Sequence, residues 1–426
     1  MTMPMIIALA VTVLMIILIM VDKLPFGAPP LLALLLLVVL GVTDIKTAFG
    51  GFSNSTIVML ASFMAIMAAL QKTSFIVKFR EMMYKMAGHG GFKAYVALIL
   101  IVMLGCSLFG TGSTAYYVLT IGLLSTLPYS KQLPPSKVLM PAGFAANHPL
   151  LPFNTALQYG IVVAVLESAG VIANVNLVKF TFVNVALSLG FFVWCLLAYK
   201  IMPDHPIAEA TEEAKANQTA VSTLPHNKEI ITYICFIVAV VGMLLQSVIG
   251  DAGYALTGLA VGGLLVFGIM DFTEIRNAIS APIILMSAGV IGIADALGNT
   301  GLTALVGQTV ANMLGMNVNP FILIFVFCVL TSVLATLTGS TIGTVYVFAP
   351  MAIATCVSLG LDPTAAAAAI VISGWCGHFL PIDGMPAMIM GAGNYTMKEF
   401  WKFTIPQYFI RLLFLTVGAV LIFPMA

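Results

Sequence analysis

The chain has 426 residues, 61% of them hydrophobic and 8% charged, with a mean hydropathy of +1.10 and a formal net charge of +1 at pH 7. So little charge cannot cover a water-soluble protein of this length, and the near-neutral balance offers nothing to nucleic acid or to an acidic surface. Apolar stretches recur along nearly the whole length, enough for about ten spans of roughly 20 residues. An all-α integral membrane protein is predicted, multi-pass in the plasma membrane and consistent with a bacterial inner membrane.

The first apolar run, residues 5–21, has no basic residues ahead of it and no small-residue cleavage site, so it reads as a retained span rather than a signal peptide. Spans come next at 30–43 and 56–70, and then a segment with five basic residues (71–93) that reads as an amphipathic surface helix. A re-entrant hairpin over 94–128 turns near Thr111–Thr114. A loop holding Lys131 and Lys137 leads to a broken span (138–147, then 156–169), and a span at 177–200 closes the first repeat, residues 1–202. Residues 203–229 are charged and read as a solvated linker. The second repeat, 230–426, runs through spans 230–249, 254–270 and 281–297, a hairpin (318–358), a broken span (364–377 and 387–395) and a last span (405–425).

The division into repeats rests on one offset. "TGST" occurs at 111–114 and again at 338–341, 227 positions later, and Asp44 with Asp271 and Thr73 with Thr300 keep the same spacing. His148 then pairs with His378, and "PFN" (152–154) with "PID" (381–383), after a small slip of register. The counterpart of the basic segment 71–93, residues 298–317, carries no charge. The positive-inside rule puts the first in the cytoplasm and the second outside, so the repeats have inverted topology. On this path 14 of the 17 Lys and Arg are cytoplasmic, as is the linker 203–229; both termini lie outside, and Arg411 sits just inside the last span.

Unwound backbone survives at membrane depth only where it is buried in protein or lines a polar cavity. The interruptions come in matched pairs: the two TGST tips, and "HPLLPFN" (148–154) with "HFLPIDGMP" (378–386), where prolines stop an apolar run. Matched interruptions in an inverted repeat point to the midplane site of a secondary transporter. Half-helix N-termini suit an anion, carbonyl ends suit a small hard cation, and the hydroxyls of Ser113, Thr114, Ser340 and Thr341 can serve either. The competing reading of each TGST is close helix packing. His148 and His378 are either packing and capping groups or proton-sensitive groups at a gate. Asp383, whose counterpart is the neutral Asn154, either coordinates a cation, carries a coupling proton or caps a half-helix. The six cysteines lie in apolar segments without CxxC spacing and read as buried hydrophobes. No Walker-type GxxxxGK[ST] and no HExxH is present, which argues against ATP driving and against an intramembrane metalloenzyme. An enzyme is not expected, and a channel would not need two inverted half-sites.

"GFSNSTIVMLASFMAIMAALQKTSF" (51–75), the two hairpin tips, "PPSKVLMPAGFAA" (134–146) and "FLPIDGMPAMIMGAGNYTMKEF" (379–400) resemble the divalent anion:sodium symporter family of the ion-transporter superfamily. The resemblance implies a homodimer, an elevator-type cycle, a small anionic substrate, most often a dicarboxylate, and sodium as coupling ion, with no resident cofactor. It places substrate on Gly112, Ser113, Thr114, Asn154, Gly339, Ser340, Thr341, Gly384 and Pro386. Sodium would fall on Thr111, Gly112, Leu151, Thr338, Gly339 and Asp383. The family's tip asparagine is missing from both tips and Asp383 is extra. Proton coupling through His148, His378 or Asp383, in an exchanger or exporter of another organic anion, therefore stays open.

Overall fold

The computed structural model describes residues 1–21, 24, 28–110, 114–125, 131–151, 156–171, 175–208, 224–280, 282–302, 305, 309, 319–338, 341–381 and 384–425. Among them there is no strand. In the first half the helices are α1 (Met3–Val21), α2 (Ala28–Val39), α3 (Ile45–Ala48), α4 (Ser55–Leu70), α5 (Phe75–His89), α6 (Gly91–Phe109), α7 (Thr114–Ser125), α8 (Pro135–Ala145), α9 (Ala156–Ser168) and α10 (Leu177–Ala198). The second half has α11 (His226–Ile249), α12 (Asp251–Val266), α13 (Phe272–Ile279), α14 (Pro282–Thr300), α15 (Pro320–Thr338), α16 (Thr341–Ser358), α17 (Thr364–Ser373), α18 (Gly384–Gly393) and α19 (Met397–Ile422). Among the described residues five helices are long and apolar enough to cross a membrane: α6, α10, α19, and most of α11 and α15. Shorter apolar helices accompany them.

Local chemistry sets the boundaries. Asp44 caps α3 by accepting from the Lys46 and Thr47 amides, which holds its carboxyl below the usual range, the Thr47 bonds contributing most. Asp271 caps α13 in a reciprocal box with Glu274. The two acids that matched at the 227-residue offset thus do the same local work. Thr396 forms a second capping box with Glu399, so α19 starts at Met397 rather than at the expected 405. Pro135 starts α8 at a position that needs no N–H.

The helix pairings are matched between the halves. α2 packs on α14 and α12 on α4; α3 packs on α14 and α13 on α4. Further along, α8 packs on α18 and α17 on α9, while α7 packs on α18 and α16 on α9. Each pairing becomes the next when α2, α3, α4, α7, α8 and α9 are exchanged for α12, α13, α14, α16, α17 and α18. α10 and α19, which correspond by order, pack on each other. The predicted amphipathic surface segment is α5, and its uncharged counterpart lies mostly outside the described residues.

Polar links join the halves at one end of the molecule. Lys72, just past α4, pairs with Glu274 of α13, and Ser74 donates to Glu229 of α11 from both its amide (2.5 Å) and its hydroxyl (2.9 Å). All six cysteines are free and buried, as expected.

Candidate functional site

The first break opens at the end of α8. Its last backbone bonds tighten to three-residue turns, from Asn147 N to Phe144 O and from His148 N to Ala145 O, and Pro149 has no amide with which to continue. Ser107 of α6 satisfies the two amides beyond the proline. Its hydroxyl accepts from Leu150 N (2.8 Å) and Leu151 N (2.9 Å) and donates to Met103 O (3.0 Å). The first arm of the predicted hairpin is therefore fastened to the break close to its tip.

His148 is fully buried, with its ring stacked on Phe191 of α10 at 3.7 Å between centroids. Its Nδ1 lies 2.7 Å from Phe144 O. A carbonyl can only accept, so Nδ1 carries a proton, and Nε2 has no partner among the described residues.

The second break opens at the end of α17, where Trp375 N bonds to Ile372 O and Cys376 N to Ser373 O. His378 then takes a φ of +37°, a strained value for a residue with a side chain. Two glycines let the second hairpin come close. A Cβ on Gly377 would lie 1.7 Å from Thr336 Oγ1 and 2.6 Å from Ser332 O of α15. A Cβ on Gly374 would lie 2.6 Å from Val345 Cγ2 of α16 and 3.2 Å from Thr341 Cγ2 at its first residue. Both arms of this hairpin lie against the break.

The two breaks meet. Asn147 Nδ2 donates to Trp375 O at 3.4 Å, and the His378 ring stacks over Phe144 at 6.2 Å. Arg411 of α19, 1% exposed, donates from Nη2 to Trp375 O (3.0 Å) and from Nη1 to Cys376 O (3.4 Å). Alongside, Tyr395 donates its hydroxyl proton to Ser136 O (2.5 Å) and accepts from Met140 N (3.1 Å), locking the turn after α18 to α8.

Of the expected site residues, His148 and His378 both reach Phe144, the first through its carbonyl and the second ring over ring, and Thr341 lies beside Gly374. Thr114, Thr341 and Gly384 are the first residues of α7, α16 and α18, as half-helix N-termini require, and Thr338 is the last residue of α15. Pro386 is buried in the first turn of α18, whereas Leu151 is 38% exposed. Thr111, Gly112, Ser113, Asn154, Gly339, Ser340 and Asp383 lie outside the described residues. Sequence reasoning missed Asn147, Ser107 and the role of Arg411. Arg411 did leave a signal, as the one basic residue that the threading could not bring to a surface.

A separate pocket of about 470 Å³ is lined by Glu167, Asp295, Asn299, Thr47 and Ser358 and includes none of the predicted site residues. There Asn54 Nδ2 donates to Glu167 Oε2 at 2.5 Å. Among the described residues no group of three or more His, Cys, Asp and Glu could hold a metal ion.

Two solved structures share this fold. The YdaH transporter of Alcanivorax borkumensis superposes with a TM-score of 0.60 at 15% identity, covering 99% of this chain and 98% of that one. Neisseria gonorrhoeae MtrF, described with a class of antimetabolite efflux pumps, gives 0.57 at 14% identity over 99% and 95%. A transporter of Escherichia coli K12, YfbS, itself uncharacterized, is 24% identical over 214 residues, which is 50% of this chain and 33% of that protein. The chain thus spans about a third of the length of that curated relative. The model of the CitMHS family, described as citrate transporter, matches residues 16–372. An all-helical multi-pass architecture, the transporter fold and a family match over most of the chain agree, and the protein belongs to the CitMHS citrate transporter family.

Proposed function

We propose that this protein is a secondary active transporter that carries a small carboxylate anion of the di- or tricarboxylate class together with a cation, sodium first. The observation that carries the reading is the meeting of the two breaks through Asn147 and Trp375, with a hairpin fastened to each. The helix N-termini of α7, α9, α16 and α18 are suited to carboxylates, and the carbonyl ends of α8 and α17 to cations. The family description favours citrate among the candidates. The matched helix pairings support two repeats, read here as inverted, residues 1–202 and 230–426, with a cytoplasmic linker between them as the positive-inside rule gives it. An elevator-type cycle in a homodimer, with both termini outside, completes the reading.

A second reading, proton-coupled export of an organic anion, is favoured by buried His148, whose Nε2 has no partner among the described residues. Proteoliposomes separate the two. Uptake of labelled citrate or succinate driven by an inward sodium gradient, and lost in choline at constant pH, supports the first. Flux that follows a pH gradient and ignores sodium supports the second. Saturable flux that follows neither gradient refutes both.

A further inference from the structure

The carbonyl end of α17 is already occupied by a cation. Arg411 reaches it from α19, and two of its guanidinium nitrogens bond the Trp375 and Cys376 carbonyls. They lie in the turn just past Ser373, the last residue of α17, where helix-end partial charge and backbone oxygens outside the helical ladder favour positive charge, and Asn147 shares the Trp375 carbonyl. Burying a guanidinium is costly unless its charge is answered, and among the described residues no carboxylate pairs with Arg411. The helix end answers it instead. Nearby, both polar atoms of the Gln407 side chain and Nε of Arg411 are buried without partners among the described residues, and the carbonyl pair is the group's main anchor there. The first half shows no equivalent among the described residues. The only charged residue of α10, which corresponds to α19, is Lys179 in its first turn, and its buried polar residues, Thr181, Asn184 and Ser188, are neutral.

We propose that Arg411 is a tethered cation that takes the place of an external coupling ion at the carbonyl end of α17, so that only the first-half break is open to a free cation. The proposal rests on the reading of the breaks as the transport site. It implies that the cycle needs fewer external cations than two matched half-sites would hold. Removing the guanidinium uncovers a site for a monovalent cation. Its ligand class is sodium or free guanidinium, the second because the planar fork already fits the two carbonyls.

The test is thermal melting of purified protein in choline, sodium and millimolar guanidinium, without substrate. Wild type is expected to show no stabilisation by guanidinium. Arg411→Ala is expected to melt lower in choline and to regain several degrees in a saturable way with guanidinium or sodium, because a ligand that binds only the folded state raises stability by mass action. An Arg411→Ala protein that is folded and monodisperse, yet gains no more from guanidinium than wild type, overturns the proposal. If Arg411→Ala does not fold, the neutral Arg411→Gln must acquire the cation response and Arg411→Lys must not. A Gln variant as unresponsive to guanidinium as wild type overturns it equally. Because the readout is melting, loss of the transport reading would leave this result standing, and the reverse also holds.

Discussion

Gly377→Ala is the sharpest structural test of the contact between hairpin and break. The added methyl would sit 1.7 Å from Thr336 Oγ1 and 2.6 Å from Ser332 O. The hydroxyl could swing away, but the backbone oxygen of a packed helix cannot, so α15 must move off the break by most of an ångström. Overpacking of this kind costs about 1–3 kcal/mol, and this case belongs at the upper end because the obstacle is backbone. Melting in detergent should fall by several degrees, and apparent substrate affinity should fall with it because the hairpin tip moves. Adding Thr336→Ala removes the closest atom and leaves the clash with Ser332 O, so the double variant should recover part of the loss. That coupling should exceed about 0.5 kcal/mol, as for residues in contact. Gly391→Ala is the control: a Cβ there meets nothing within 4 Å, and in the interior of α18 the change should be neutral or stabilising by up to about 1 kcal/mol. If Gly377→Ala melts and binds like wild type, the packing of α15 on the break is wrong.

Ser107→Ala strands the amides of Leu150 and Leu151, each worth about 1–3 kcal/mol when buried without a partner. Melting should drop and amide exchange at 150–151 should quicken, while Ser107→Thr should retain much of the protection. Tyr395→Phe removes the hydroxyl that bridges Ser136 and Met140, and should cost about 1–2 kcal/mol in melting stability. The Glu274 carboxyl is held below its ordinary 4.5, first by the bond from Lys72 and then by the Asp271 amide. Its contribution is present above that ordinary value and is lost as pH falls through the lowered one. Both partners are about a third exposed, so Lys72→Ala should cost no more than about 1 kcal/mol near neutrality, and the difference from wild type should shrink below pH 4.5.

The sequence was most legible where local rules act alone. Asp44 and Asp271 stood 227 residues apart, and both proved to be caps. The apolar runs became helices, and Pro149 ends α8 as an imino acid must. Position by position, the boundaries were harder to read. α17 ends at Ser373, not 377, because its last turns tighten, and the box of Thr396 and Glu399 starts α19 early. What could not be read was the contact between the breaks. Asn147 reaches Trp375, and Arg411 reaches the same carbonyl from another helix, over separations that no periodicity encodes. A buried arginine in a span signals function, but only the fold says that it meets carbonyls rather than a substrate.

The most direct test of the central claim is thiol labelling of Ser113→Cys and Ser340→Cys, one at each hairpin tip, in a background whose native cysteines are buried. Citrate or succinate with sodium should slow the labelling of both positions, and choline in place of sodium should abolish the protection. Protection at one tip only, or at neither while the anion still binds, would contradict a single site shared by the two halves.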